Sequence, residues 1–497
     1  MEGKGFVMTK VTYHECKGTI LFLGFGAVAQ CTLPLVLKHI QCDLKKIIIV
    51  DPIRSASIAQ YEAHGIRFIQ EAITAENLAS VLKKLVHPGD LIIDLAVDID
   101  CCAIVQWCHD NDVLYINTSV ELWDPYHDIA QTIPTQRTLY PRHMKLRALK
   151  NSWQRPGPTA VVEHGANPGL VSHFTKKALV DIAHATLKKS DARNKKIEQL
   201  LENNHYPHLA QLLGVKTIHI SERDTQIASV PRAVNEFVNT WSIDGFYEEG
   251  IAPSEIGWGT HEKELPAHAY EYTSGPKNQI CLAQMGIQTW ARSIVPSGPI
   301  IGMIVRHGES FTISDHLTVW DAPESLRRPL YRPTVHYVYC PTDAALNSLH
   351  ELKMRNLVMQ ENKRIMRDEI ISGVDEVGVL LMGHDFKSWW TGSVLSIDQT
   401  RAAVPGQNAT TLQVACSVLA AVMWMLKNPT RGVCVPDDLP YEDILAIATP
   451  YLGDVISQPI DWTPLDNRRD YFKAFNAAEC CDYDDPWQFK NFCITTL

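Results

Sequence analysis

Short continuous apolar runs alternate with segments of helical periodicity through the first third of the chain. The runs predict strands at 19–23, 46–50, 66–69, 90–97, 113–118 and 160–164. Apolar positions at helical spacing predict intervening helices, which include 27–40, 77–85 and 101–111. Strands that alternate with helices form parallel sheets covered by helices. The pattern therefore predicts an α/β fold whose N-terminal part is a doubly wound parallel sheet.

A glycine-containing turn follows the first of these strands. Gly24 permits a tight bend, Gly26 leaves room for a pyrophosphate group, and Ala29 lets the next helix pack closely on the strand. The helix N-terminus then directs free N–H groups at the phosphates. These features are typical of a Rossmann-type dinucleotide-binding domain. The residues that we expect to bind the cofactor are Gly24, Phe25, Gly26, Ala27, Val28, Ala29, Asp51, Ala96 and Thr118.

Asp51 ends the second strand of this unit. An acid at this place accepts hydrogen bonds from the ribose hydroxyls and repels a 2′-phosphate, which favours NAD over NADP. Arg54 lies nearby and supports the alternative, since an arginine binds the 2′-phosphate of NADP. We expect NAD.

The regular alternation ends in the middle of the chain. Between about 195 and 330, short strands are separated by glycine, proline and aromatic residues, which predicts an α+β substrate domain. Further strands are predicted at 215–220, 300–305 and 335–339, a charged helix at 343–367 and an apolar helix at 410–426. We expect an NAD-binding domain at 1–160, a substrate and catalytic domain at 161–390, and a helical C-terminal region at 391–497 that packs back on the first domain.

Composition narrows the classes of function. The net charge of −10 makes nucleic acid an unexpected partner and helps to attract a cationic substrate. We expect no apolar run to be long enough to span a bilayer. The start of the chain lacks the pattern of a secretory signal peptide. The 13 cysteines form no C-x-x-C pair, which indicates reduced thiols in the cytoplasm. His205 and His208 are too weak a pattern for a metal site, so we expect no metal.

Acidic and aromatic residues are interleaved in the substrate domain. Glu222, Trp241 and Glu249 fall in this part, while Asp98 and Glu121 follow two strands of the first sheet. Together they are suited to an acidic, aromatic cleft for a polyamine, because ammonium groups bind carboxylates and rest on aromatic faces. The alternative is a set of ordinary surface acids around a core tryptophan.

Three further polar residues lie at strand ends or junctions. His307 follows a strand and precedes a glycine, which suits an acid/base group, although a structural histidine fits the same pattern. Asn167 lies after the strand at 160–164, in a glycine-rich turn. Asp375 lies at a domain junction or in a simple polar turn.

Several motifs together are more specific than the glycine turn. The segments 24–30, 164–169, 221–226, 239–244, 256–261 and 380–384 closely resemble those of the bacterial homospermidine synthases, within the saccharopine dehydrogenase-like group. The resemblance implies an NAD-dependent, homodimeric enzyme of the cytoplasm. It implies that two putrescines, or spermidine and putrescine, are joined into homospermidine with loss of ammonia or diaminopropane, while the hydride held by NAD is recycled.

The resemblance also implies roles for individual residues. Trp241 corresponds to a cation–π platform, Asn167 positions an amine, and His307 transfers protons. Asp375 binds the far-end ammonium of the substrate. The remaining ammonium-binding carboxylates are Glu222, Glu249, Asp98 and Glu121.

Two other functions stay open at this point. A saccharopine or carboxyspermidine type of NAD(P)-dependent dehydrogenase has carboxylate-bearing substrates and calls for a cluster of arginines in its site. A nucleotide-binding regulatory protein would retain the glycine turn but would catalyse no reaction. The presence of Glu222, Trp241 and Glu249 argues against the second alternative.

Overall fold

The computed structural model describes residues 14–125, 131–321, 328–468 and 481–494. The strands of the N-terminal part are β1 (His14–Glu15), β2 (Ile20–Leu23), β3 (Ile40–Gln41), β4 (Ile47–Asp51), β5 (Arg67–Gln70), β6 (Leu91–Asp94), β7 (Leu114–Asn117) and β8 (Ala160–Val161). Its helices are α1 (Ala27–His39), α2 (Ile58–Glu62), α3 (Leu78–Leu85), α4 (Cys101–Asp110) and α5 (Leu139–Ser152).

The strands of the second part begin with β9 (Thr217–Asp224), β10 (Ile227–Ala228), β11 (Glu236–Asn239), β12 (Pro253–Gly257), β13 (Ala269–Glu271), β14 (Gln279–Met285), β15 (Trp290–Val295), β16 (Gly298–Met303) and β17 (Val319–Trp320). They continue with β18 (Pro329–Tyr331), β19 (Thr334–Cys340), β20 (Asn362–Ile365), β21 (Ile370–Ser372), β22 (Val374–His384), β23 (Lys387–Ser396), β24 (Val433–Cys434) and β25 (Asp454–Ile460). The helices are α6 (Leu170–Leu187), α7 (Asn194–Glu202), α8 (Tyr206–Leu213), α9 (Ile243–Ile251), α10 (Gly308–His316), α11 (Asp343–Met354), α12 (Ile397–Ala403), α13 (Ala409–Lys427), α14 (Tyr441–Ala448) and α15 (Phe489–Phe492).

The first sheet is parallel and has seven strands in the order β24-β8-β7-β6-β2-β4-β5. All four residues of β2 are buried, because helices cover both faces of the sheet. The strand order reverses direction between β2 and β6, and ligands of such sheets bind at the carboxyl ends of the strands near that point. The predicted α/β class with a Rossmann-type domain is confirmed.

A second, mixed sheet of ten strands forms the other part of the protein. Its central strand β9 pairs in parallel with β19 and antiparallel with β22. The C-terminal end of β9 carries Glu222 and Asp224. This strand therefore brings two acids to one end of the second sheet.

The C-terminal part contributes to both sheets. β24 extends the first sheet beside β8, while β25 extends the second sheet beside β23. The boundary predicted at 390 falls inside β23, whose ladder with β22 runs without a break across that position. α13 packs against α1 of the first part.

α13 is long and apolar enough to cross a membrane by length and composition, so the expectation that no run reaches this length was wrong. However, 89% of its most apolar window is buried inside the protein. It serves as a core helix that joins the C-terminal part to the dinucleotide-binding part.

The helix predicted at 343–367 ends early, at Met354. Asn356 and Leu357 have positive φ angles of 52° and 67°, which interrupt the helical backbone. Asn362–Ile365 then forms β20, which pairs in parallel with β11. Strand pairing thus overrides the helical preference of this charged segment.

Candidate active site

A cavity of about 200 Å³ lies between the carboxyl ends of the first sheet and the part that contains the second sheet. Six of the predicted substrate and catalytic residues line it: Glu121, Asn167, Glu222, Trp241, Glu249 and His307. Three of the predicted cofactor residues also line it, namely Val28, Ala96 and Thr118. Residues far apart in the sequence therefore meet at one cavity beside the glycine turn.

The glycine turn fits a dinucleotide. Gly24 has a φ of +82°, and a Cβ there would lie 2.8 Å from the Cα of Ala96, so a side chain is excluded. Gly26 is the N-cap of α1 without a side-chain hydrogen bond, and a Cβ there would meet nothing within 4 Å. Open space at the N-terminus of a helix suits a pyrophosphate. The buried residues Phe25, Ala27 and Ala29 hold the turn in place.

Asp51 lies over the glycine turn. Its Oδ2 accepts a hydrogen bond from the backbone N–H of Phe25 at 2.6 Å, and its Oδ1 accepts one from Ile53. Arg54 forms an ion pair with Glu62 and its guanidinium lies 5.3 Å from the ring centre of Phe68. Arg54 is thus engaged with Glu62 and Phe68, whereas Asp51, at the end of β4, contacts the glycine turn directly.

His307 lies between two carboxylates. Its Nε2 is 2.6 Å from Glu249 Oε1, and its Nδ1 is 3.1 Å from Glu309 Oε2. Burial acts to lower the pKa of His307, but the Glu309 and Glu249 charges outweigh it and hold the pKa well above its usual value. Burial raises the pKa of Glu249, although His307 opposes the shift. His307 is thus held as an imidazolium, which is suited to donate a proton.

Glu222 is fully buried at the end of β9. Its Oε2 accepts hydrogen bonds from Asn167 Nδ2 at 2.7 Å and from the Tyr337 hydroxyl at 2.5 Å. Burial raises the pKa of Glu222 to about 8, against the hydrogen bond from Tyr337 and with a further upward contribution from Asp224. An ammonium group that entered beside Glu222 would favour its charged form.

Trp241 follows β11 and lines the cavity. Its Nε1 donates a hydrogen bond to the Tyr339 hydroxyl at 3.2 Å, and its ring packs edge-to-face against Phe246 at 6.1 Å. A Cβ on Gly245 would lie 2.7 Å from the indole, so this glycine is required by the position of the ring. The indole is therefore fixed in orientation before any substrate binds.

Two predicted substrate residues do not reach the cavity wall. Asp98 is exposed after β6, where partial burial and the charge of Glu121 raise its pKa. Asp375 is fully buried on β22, and its Oδ2 accepts a hydrogen bond of 2.7 Å from Thr410, which itself lines the cavity. Thr410 thus separates Asp375 from the cavity.

Sequence reasoning missed a pair of buried arginines in the cavity wall. Arg142 lies 2.7 Å from Glu248 Oε1, and Arg306 is paired with the same carboxylate. Arg142 also donates to the Val120 carbonyl, and Arg306 to that of Arg137. A lone arginine in a helix or loop gives no local pattern, so nothing in the sequence pointed to them.

Sequence reasoning also missed the cavity residues Glu163 and Tyr337. Glu163 had a usable signal, since it comes soon after the end of β8, as Glu121 comes soon after the end of β7. Within the described ranges, no group of three or more histidine, cysteine or acidic residues is placed to hold a metal ion.

The family comparisons agree with this geometry. The family described as saccharopine dehydrogenase NADP binding domain matches residues 20–161, and the one described as saccharopine dehydrogenase C-terminal domain matches residues 165–460. Homospermidine synthase of Blastochloris viridis is 41% identical over 488 residues, which cover 97% of this chain and 98% of that protein. The chain belongs to the homospermidine synthase family. The resemblance stated from its motifs is confirmed.

Other members of the homospermidine synthase family support the assignment. The enzyme of Mesorhizobium japonicum is 38% identical over 489 residues, 97% of each chain. The crystal structure of homospermidine synthase from Legionella pneumophila in complex with NAD superposes with a TM-score of 0.86 at 35% identity, covering 98% of this chain and 100% of that one. Saccharopine dehydrogenase of Saccharomyces cerevisiae, at 12% identity and a TM-score of 0.50, shares the fold.

Proposed function

We propose that this protein is a homospermidine synthase, which joins two putrescines into homospermidine and releases ammonia. Spermidine is a second aminobutyl donor, with diaminopropane as the leaving amine. The observation that carries the proposal is the meeting of Trp241 with the carboxylates of Glu121, Glu222 and Glu249 in one cavity beside the glycine turn. Such a cavity attracts dications and has an aromatic face for a cationic intermediate.

The reaction proceeds through an imine. The amine of one putrescine loses its proton, its carbon loses a hydride, and the resulting imine exchanges ammonia for the amine of a second putrescine. Reduction of the new Schiff base gives homospermidine. NAD, when bound at the glycine turn, supplies the hydride acceptor and donor, so there is no net change of redox state.

The residues divide these tasks. Glu222 and Asn167 bind and orient an amine, Glu121 binds an ammonium nearer to solvent, and Trp241 stabilises the cationic imine. His307, held as an imidazolium by Glu249, donates a proton to the leaving ammonia. Asp98 binds an ammonium at the entrance, and Asp375 acts on the far-end ammonium through Thr410.

A carboxylate-binding dehydrogenase fits this cavity less well. Arg142 and Arg306, which line it, are both paired with Glu248. Binding a substrate carboxylate would have to compete with that buried ion pair.

The test is to incubate the purified protein with putrescine and catalytic NAD, and to measure polyamines by chromatography and ammonia enzymatically. We expect equal amounts of homospermidine and ammonia without accumulation of NADH. Stoichiometric NADH would indicate the dehydrogenase instead. An absence of any turnover would favour the regulatory protein.

We also propose that the enzyme is a cytoplasmic homodimer that binds neither nucleic acid nor membranes. The net charge of −10 and the burial of α13 support the last two points. The described cysteines are free thiols, which is typical of a reducing compartment. Light scattering coupled to gel filtration tests the dimer, with a mass near twice 55.8 kDa expected.

A further inference from the structure

The proposed reaction needs a base as well as an acid. Putrescine enters as a dication, and an ammonium cannot release a hydride from its carbon until it has lost a proton. His307 already carries a proton, since Glu249 and Glu309 flank it. Glu248 is neutralised by Arg142 and Arg306. Glu121 and Glu222 bind ammonium or amine groups in the proposed function, so a further carboxylate of the cavity wall is the candidate base.

Glu163 is a cavity residue that the proposed reaction has not used. It follows β8, at the carboxyl edge of the first sheet, and its side chain is 1% exposed. Its Oε2 lies 2.9 Å from Nε2 of His143 on α5, and His143 is 2% exposed. The cavity wall thus holds a second carboxylate, on the dinucleotide-binding side, with an imidazole directly behind it.

The backbone is shaped around this carboxylate. Glu163 has a φ of +62°, which is uncommon for a residue with a side chain and is retained mainly where surrounding structure or function requires it. A Cβ on Gly308, the first residue of α10, would collide with the carboxylate. The N-terminus of this helix favours a negative charge beside it. The Glu163 carboxylate therefore lies against the first residue of α10, beside the His307–Gly308 peptide.

His143 is itself held in place. Its ring stacks on Phe311 at 4.7 Å, and the guanidinium of Arg147 lies over the same Phe311 ring at 4.6 Å. Glu255 and Cys101 are ionisable groups that interact with this pair. Burial raises the pKa of Glu255 to about 7, and burial also raises that of the Cys101 thiol.

We propose that Glu163 removes the proton from the substrate ammonium before hydride transfer, with His143 as its positioning residue. This inference rests on the proposed function. The R–CH₂–NH₃⁺ group gives one proton to the Glu163 carboxylate and becomes R–CH₂–NH₂. The C–H electron pair then leaves as hydride to NAD, and the nitrogen lone pair forms the C=N bond of R–CH=NH₂⁺. Glu163 and His307 thus act as base and acid at different steps.

The test compares Glu163→Gln with the wild-type protein by stopped-flow formation of NADH from putrescine between pH 7 and 10. The amide keeps the shape but cannot accept the proton, so we expect a loss of about 100-fold at pH 7.5. The rate of the variant should rise about tenfold per pH unit towards the amine pKa of about 10, because neutral amine then enters from solution. A structural defect would not be rescued in this way.

Glu262→Gln is the matched control. Glu262 is 2% exposed in its side chain and accepts hydrogen bonds from Thr334 and Phe489, but it lies outside the cavity. We expect this variant to keep the wild-type rate. A wild-type rate for Glu163→Gln, or a loss equal at every pH, would overturn the inference.

His143→Asn provides a second test. We expect at least a tenfold loss at pH 7.5 that high pH relieves, since Glu163 would be less well placed. NAD titration by protein fluorescence shows whether each variant keeps its site. If Glu163→Gln does not bind NAD, His143→Asn becomes the deciding variant. A loss of rate in His143→Asn that is the same at every pH then overturns the inference. Homospermidine formation by the wild type is measured in parallel, because its absence would overturn the proposed function itself.

Discussion

Glu249 on α9 lies 2.6 Å from His307 in the loop before α10, and the adjacent residues Glu248 and Arg306 form a parallel ion pair. Two consecutive pairs thus connect the same helix and loop. The arrangement fixes the imidazole in the cavity and keeps it charged. Because the two pairs are adjacent, the ion pair between Glu248 and Arg306 also helps to orient His307. Glu248 itself transfers no proton.

Replacing His307 with glutamine should abolish most turnover. The amide retains hydrogen bonding but cannot donate a proton to the leaving ammonia, so the rate of homospermidine formation should fall by about 10² to 10⁴. NAD affinity should be unchanged. His336→Gln is the control, because His336 is fully buried in the second sheet and lies outside the cavity. If His307→Gln kept the same activity as the wild type and His336→Gln, His307 would be excluded from the reaction.

Trp241→Phe should retain the fold and NAD binding but lower kcat for homospermidine by about 3- to 30-fold. Phenylalanine has a weaker π face, and cation–π contacts contribute about 0.5 to 2 kcal/mol. The hydrogen bond from Nε1 to Tyr339 is also lost, so thermal unfolding is measured in parallel. Tyr339→Phe removes that hydrogen bond while leaving the indole, and serves as the control. An unchanged rate in Trp241→Phe would remove the indole from the mechanism.

The two glycines of the turn should respond differently to alanine. Gly26→Ala should fold normally, because φ is −72° and a Cβ meets nothing within 4 Å, but it should lose NAD affinity. Gly24→Ala should unfold at a lower temperature, because φ is +82° and the Cβ would lie 2.8 Å from Ala96. Calorimetric NAD titration and thermal melting separate the two effects. Normal NAD binding by Gly26→Ala would contradict the placement of the pyrophosphate.

Glu222 should make the free protein less stable as pH rises. Its pKa is raised from 4.5 to about 8 in the folded state, so the folded protein binds more protons than the unfolded chain within that window. The free energy of unfolding therefore falls as pH increases from about 5 to 8. Glu222→Gln should flatten this decline in urea titrations at pH 5.5 and 8. An identical decline in wild type and variant would show that Glu222 is ionised throughout.

The N-terminal part of the fold could be predicted closely from the sequence. α1 was expected at 27–40 and is observed at Ala27–His39, since a buried apolar strand followed by two glycines leaves few alternatives. The helix expected at 343–367 was too long, because pairing of β20 with the distant β11 has no local signal.

The site could be predicted only in part. Trp241, Glu249 and His307 were predicted from the sequence, but the contact between Glu249 and His307 joins positions 58 residues apart and needed the structure. Arg142 and Arg306 were missed for the same reason, as their common partner Glu248 is not near either in the sequence. Asp375 was expected at a domain junction or in a polar turn, yet it lies within the buried strand β22, behind Thr410.

The central claim is that one hydride leaves and returns to the same carbon within a closed cavity. The direct measurement uses putrescine deuterated at both amine-bearing carbons, catalytic NAD and a tenfold excess of unlabelled NADH, with mass spectrometry of the product. The account predicts homospermidine that retains all of its deuterium. Product that lacks one deuterium per molecule, or the absence of homospermidine, would contradict it.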